Sequence, residues 1–211
     1  MAKTSEPGAE AWVPETSEIE VLAHAANGCR GCELYRDSTQ AVFSAGPSDA
    51  RLMLVGEQPG DREDIEGKPF VGPAGKLLAE ALDAAGIPHD QAYVTNAVKH
   101  FRFEERGKRR IHKNPGVTHI NACHPWLEAE LAIVKPEVVV ALGGTAGRAV
   151  LGRTVKVTTE RGHALEGGPD GATVFLTTHP SAVLRLRGEP EFDEAFDGLV
   201  RDLARAVAAL T

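Results

Sequence analysis

The sequence predicts an α/β fold, a three-layer α/β/α sandwich around a mainly parallel four-stranded sheet. Three observations predict it. Four short apolar runs rich in β-branched residues are separated by segments whose apolar residues recur at helical spacing. Turns containing glycine or proline stand just past the carboxyl ends of these runs, where open parallel sheets bind ligands. The 211 residues, 42% hydrophobic and 25% charged, suit one sizeable core better than two.

Taken in order, residues 18–26 predict a short helix stopped at Gly28, followed by a loop carrying Cys29-Arg-Gly-Cys32. Arg51–Val55 predicts the first strand, which runs into Gly56-Glu-Gln-Pro-Gly60. Leu77, Leu78, Ala81, Leu82 and Ala85 share a helical face, with Pro73 near the start and Gly86 past the end. Ala92–Val98 predicts the second strand. A basic loop follows, then a helix presenting Ile120, Cys123, Leu127, Leu131 and Val134. Glu137–Leu142 is apolar on both faces, as a central parallel strand requires, and Gly143-Gly144 leads to a short helix over 145–151. Thr173–Thr178 is the fourth strand and terminates in His179-Pro180-Ser181. Phe192, Ala195, Phe196, Leu199, Leu203, Val207 and Leu210 form an amphipathic closing helix. Residues 16–211 therefore read as a single domain, preceded by a flexible segment over 1–15 that is acidic and broken by Pro7 and Pro14.

Charge and cysteine count narrow the function. No apolar run reaches the ~18 residues of a membrane span, and the first twenty residues lack the order of a signal peptide. A cytoplasmic protein without a membrane partner is expected, and the lack of a long heptad pattern suggests a monomer. The net charge of −7 argues against general nucleic-acid binding, yet Arg102–Lys113 holds six positive and two negative side chains. A phosphate backbone can be met there, although a charge run is commonly just a solvated loop. Three cysteines exclude a complete disulfide framework. Because Cys29 and Cys32 follow a helix-stop signal, a metal pair is favoured over a redox motif. Cys123 is a possible third ligand, and chemistry alone leaves zinc and an iron–sulfur cluster tied.

Polar residues gather at the strand ends: Glu57 and Gln58, then Asn96, then His179. Each has an ordinary reading as a turn residue, but a parallel sheet brings these ends to one rim. Gly56-Glu-Gln-Pro-Gly60, Pro69-Phe-Val-Gly-Pro-Ala-Gly75, Val94-Thr-Asn-Ala-Val-Lys99 and His179-Pro-Ser181 occur in the order that resembles the uracil-DNA glycosylase superfamily, iron–sulfur family 4. The likeness runs from Cys29 to the last helix. Two departures are similar to the uracil-DNA-crosslinking branch, UdgX: the Glu57-Gln58 pair, and His100 where family 4 places a cysteine. The insertion Lys108-Arg-Arg-Ile-His112 also matches that branch.

The resemblance implies excision of uracil from single- or double-stranded DNA, followed by a covalent bond from His112 to C1′ of the abasic sugar. It makes His112 the nucleophile, Glu57 its partner, and His179 the donor to the departing base. Phe70, Asn96, His179 and Gln58, the last through its main-chain amide, would bind uracil. An amide such as Asn96 matches an edge carrying a carbonyl and an N–H and mismatches cytosine. Lys108, Arg109, Arg110, Lys113, Ser181 and Arg185 would contact DNA. Cys29, Cys32, His100 and Cys123 would hold a [4Fe–4S] cluster, with zinc as the alternative. A turnover glycosylase, with Glu57 activating water, and a non-catalytic metal-containing DNA-binding module are the competing readings.

Overall fold

A computed structural model describes residues 7–210. Its main sheet contains β1 (Ser44–Ala45), β2 (Leu52–Gly56), β3 (Ala92–Asn96), β6 (Val138–Leu142), β7 (Ala164–Leu165) and β8 (Thr173–Thr177). The strand order is β1-β3-β2-β6-β8-β7. The central four are parallel, as expected, while the short β1 and β7 add antiparallel edges that the sequence did not reveal. Two-residue strands are too short to carry a period-2 signal. Between β3 and β6, β4 (Phe103–Arg106) and β5 (Arg109–His112) form a separate antiparallel hairpin.

The helices are α1 (Ile19–Ala26), α2 (Asp61–Glu66), α3 (Pro73–Ala84), α4 (Val117–Val134), α5 (Gly143–Leu151), α6 (Val157–Glu160), α7 (Pro180–Leu184) and α8 (Phe192–Val207). Side-chain alternation along the strands divides the core into two layers. Met53, Val55, Val139, Ala141, Val174 and Leu176 pack toward α1, α4 and α5. Leu52, Leu54, Val138, Val140, Leu142 and Phe175 pack toward α3, α7 and α8. This is the three-layer sandwich the sequence predicts.

Local differences have local causes. β3 ends at Asn96 rather than Val98, because the Ala97 and Val98 amides turn to bond Gly56 O and Glu57 O at 2.9 and 3.0 Å. Helix α2 was not foreseen: Asp-Arg-Glu-Asp has no apolar periodicity, but Gly60 and the left-handed Gly67 bound it. Of the segment expected to be flexible, residues 1–6 lie outside the described residues. From Gly8 the chain packs instead on the cysteine loop: Ala9 is fully buried and the Gly8 amide donates to Gly31 O at 3.0 Å. Among the described residues, no helix is long and apolar enough to cross a membrane.

Candidate functional site

The carboxyl ends of β2, β3, β6 and β8 open into a cleft of about 1320 Å³. Glu57, Gln58, Phe70, Asn96, His112, His179, Ser181 and Arg185 all line it. Residues up to 128 positions apart in the sequence thus converge on one rim, because parallel strands deliver their carboxyl ends to the same edge.

Gly56 pairs with Asn96 across the β2–β3 ladder, and a methyl on it would lie 2.3 Å from Asn96 Oδ1 and 2.7 Å from Phe70 Cζ. Only the missing side chain lets amide, ring and first turn meet. Asn96 is 3% exposed at the floor of the cleft. Phe70 has φ of 56°, a left-handed conformation unfavourable for a bulky residue, which the surrounding turn must enforce. Such stored strain is typical of positions that a ligand uses.

His179 receives the Ser181 amide at Nδ1, 3.1 Å away, with the Ser181 hydroxyl at 2.8 Å. Since a backbone N–H can only donate, Nδ1 carries the lone pair and the neutral ring keeps its proton on Nε2. Burial, aided by the nearby His112 and Arg185, lowers its pKa to about 4. The ring is therefore a neutral donor at physiological pH. Ser181, expected to contact DNA, also fixes this tautomer.

His112 closes the hairpin strand β5 and is paired in register with Phe103. Its Nε2 lies 3.6 Å from Glu57 Oε1, beyond hydrogen-bond range. Burial depresses the His112 pKa, Glu57 opposes the shift, and Arg185 adds to it. The other Glu57 oxygen accepts the Thr145 hydroxyl from the first turn of α5, which fixes the carboxylate. Thr145 was not legible in the sequence, because only the β6–α5 turn brings it to Glu57.

Two side chains of the expected set are engaged within the protein. The side chain of Gln58 faces the hairpin: Nε2 contacts Arg102 O at 3.1 Å, Lys113 O at 3.2 Å and His112 Nε2 at 3.0 Å. Its Oε1 accepts the Arg102 amide at 3.1 Å, so only its main chain remains for a base. Arg110 does not present a free cation to phosphates. It pairs with Asp61 and Asp64 at 2.6 Å and lies over Phe101 and Phe103, 5.4 and 5.1 Å from their centroids. Alternation across a two-stranded ribbon puts Arg110 on the protein side, whereas Lys108 and Arg109 at the tip are exposed. Lys113 is exposed, with Glu104 3.4 Å away.

The three cysteines are buried apart from the cleft, in the core under α1 and α4. Trp126 Nε1–H and the Gly31 amide donate to Cys29 Sγ at 3.3 and 3.5 Å, and the Lys99 amide donates to Cys123 Sγ at 3.3 Å. Burial pushes the Cys123 thiol up to about 12, and Cys32 and Cys29 add to the rise. Buried sulfurs served by N–H donors are chemically suited to a soft metal group, which would take them as thiolates. Among the described residues, however, no three metal-binding side chains are gathered at ligating spacing. His100 is buried, and its pKa is lowered to about 4 by that burial, with Asp64 acting in opposition.

Comparison with known proteins agrees with this architecture. The family model described as the uracil DNA glycosylase superfamily matches residues 43–204. A type-4 uracil-DNA glycosylase of Thermotoga maritima is 36% identical over 170 residues, covering 80% of this chain and 84% of its own. Another, from Pyrobaculum aerophilum, is 34% identical over 187 residues, covering 84% and 92%. A type-5 uracil-DNA glycosylase from the same organism is 31% identical over 154 residues, covering 64% and 63%. The motifs that line the cleft fall within the span matched by the family model. The chain belongs to the uracil DNA glycosylase superfamily.

Proposed function

We propose that this protein excises uracil from DNA and then stays joined to it through His112. The observation that carries the reading is a neutral, half-exposed imidazole in the cleft, 3.6 Å from the Glu57 carboxylate. A flipped uridine would stack on Phe70 and present its edge to Asn96. As the C1′–N1 bond breaks, its electron pair leaves with uracil, and the Nε2–H of His179 stabilises the charge growing on a base oxygen. The Glu57 carboxylate stabilises the cationic sugar.

The lone pair of His112 then forms a bond to C1′, in competition with water. Held in place, the ring gains the effective molarity of an intramolecular nucleophile. The Gln58 amide donates to Nε2 and Glu57 faces the same nitrogen, so Nε2 carries the attacking pair and the proton left on Nδ1 passes to solvent. The result is an N-alkylated histidine and free uracil. Single-stranded substrate is accepted, since no base pair has to open. The exposed tip cations, Lys108 and Arg109, together with Lys113 and Arg185, contact the backbone.

Cys29, Cys32, Cys123 and His100 would hold a [4Fe–4S] cluster, zinc being the alternative. Bound there, the group would fasten the amino-terminal loop to α4 and take no part in the chemistry. The buried sulfurs with their N–H donors support this assignment.

The test is to mix the protein with a labelled uracil-containing oligonucleotide, boil it in detergent, and run a gel beside a thymine control. A uracil-dependent band at the summed mass is expected. Abasic DNA with no such band would establish instead the second reading, a turnover glycosylase whose Glu57 activates water, which the same Glu57 position favours.

A further inference from the structure

Beneath the cleft lies a pair of charges that the proposed chemistry does not use. The Lys99 side chain is 1% exposed and that of Glu130, on α4, is 0% exposed. An ammonium has three hydrogens, and three acceptors surround this one: Thr95 Oγ1 at 2.6 Å, Asn96 O at 2.9 Å and Glu130 Oε2. The other Glu130 oxygen accepts the Tyr93 hydroxyl at 2.9 Å and the Thr95 hydroxyl at 2.7 Å. Lys99 Nζ also lies 4.9 Å from the centroid of Phe43. The network is neutral and fully satisfied. Replacing such a pair by apolar side chains is often harmless to stability, so stability alone does not account for it.

Its position suggests another task. The carbonyl that Lys99 grips belongs to Asn96, the last residue of β3. The next two amides, of Ala97 and Val98, bond Gly56 O and Glu57 O. The ammonium therefore fixes a peptide that sets where Asn96 stands against the β2 turn. On the other side, Cys123 and Glu130 are seven residues apart on α4, two turns along one face. That face holds Lys99 twice, Cys123 Sγ at its amide and Glu130 at its side chain.

We propose that Lys99, locked to Glu130, is a positioning residue for base recognition that ties the Asn96 turn to the helix carrying Cys123. The proposal rests on the reading of Asn96 as the side chain that meets uracil. Without the ammonium, the Asn96 carbonyl loses its partner and the turn gains freedom relative to Gly56 and Glu57. The pair then serves discrimination of the base edge rather than binding of the strand.

The test uses the full-length protein and the double variant Lys99→Met/Glu130→Met, which removes both charges at similar volume. Single-turnover excision is expected to slow by at least ~10-fold with DNA affinity changed less than about twofold, the signature of misaligned groups. Amide hydrogen exchange at Ala97 and Val98 should accelerate by ~10-fold or more while Val139 and Val140 in β6 stay protected. Unchanged excision would overturn the proposal, and so would exchange that rises equally across the sheet. If the double variant fails to fold, Glu130→Gln supplies the same two readings. A wild-type protein inactive on uracil DNA would sink the glycosylase reading, and the exchange pattern would still decide whether Lys99 holds the Asn96 turn.

Discussion

The Gln58 side-chain amide meets the His112 ring at 3.0 Å and, in the same grip, bonds Arg102 and Lys113 at the two ends of the hairpin. One residue of the β2 turn thereby sets the height of the histidine above the cleft. Gln58→Leu should slow adduct formation by about 10- to 100-fold, since a shift of roughly 1 Å at a reacting atom costs that much. DNA affinity should stay near wild type. Quenched-flow assays with a gel readout measure the first and fluorescence anisotropy the second; equal loss in both would refute the positioning role.

His112→Ala removes the nucleophile without touching the Glu57–Thr145 contact. The covalent band should vanish while uracil is still released, because base departure depends on His179 and Glu57. Mass spectrometry of wild-type adduct peptides should place the sugar on His112. An adduct that survives the substitution would mean that another group captures C1′.

The hairpin cations should separate by function. Lys108→Ala should lower the dependence of log Kd on log salt by about one unit, as loss of a phosphate contact does. Arg110→Ala should leave that slope alone and slow adduct formation, because Arg110 is held by Asp61 and Asp64. Anisotropy titrations at several salt concentrations give the slopes, and a slope change for Arg110→Ala would show that it reaches the DNA.

Acid should act through both histidines of the cleft. Burial lowers the pKa of His112 and takes that of His179 to about 4. Each is neutral above its lowered pKa, so adduct formation should hold steady as pH falls through 6.5 and decline only below it, when the His112 lone pair that attacks C1′ is taken by a proton. Stability follows the same sign. Unfolded histidine binds protons at higher pH than His179 in the fold, so this contribution is present above about 6.5 and is lost as pH falls toward 4, up to about 3 kcal/mol. Chemical denaturation of His179→Gln between these limits should show a shallower pH slope than wild type.

Gly56→Ala adds one methyl 2.3 Å from Asn96 Oδ1 and 2.7 Å from Phe70 Cζ. Excision should fall by ~100-fold or more, with the added group standing where amide and ring converge. Thermal melting should drop by only a few degrees, since overpacking at one site costs about 1–3 kcal/mol. Wild-type excision by this variant would mean that Asn96 and Phe70 do not act together on the base.

Much of the fold was readable because each central strand is a short, continuous apolar run. Val138–Leu142 and Leu52–Gly56 are buried along their whole length, so composition alone marks them. Helix α8 was equally plain, its apolar residues recurring on one face. The hairpin presents itself in the sequence only as a basic loop, since its eight strand residues are mostly charged and their alternation is masked. Gly107, at φ of 63°, makes the turn that charge counting overlooked.

Of the site, the sequence by itself determined which residues could serve and that they fall at strand ends: Glu57, Asn96, His179, with His112 in a basic insertion. It also named the three cysteines as a set. Only the tertiary structure decided that Gln58 turns to the hairpin, that Arg110 is bound by Asp61 and Asp64, that Thr145 fixes Glu57 and that Lys99 holds the Asn96 carbonyl. The reason is physical. Periodicity and turn chemistry are short-range properties encoded by adjacent residues, whereas a hydrogen bond between residues 46 or 88 positions apart exists only after the parallel sheet has brought its strand ends to one rim.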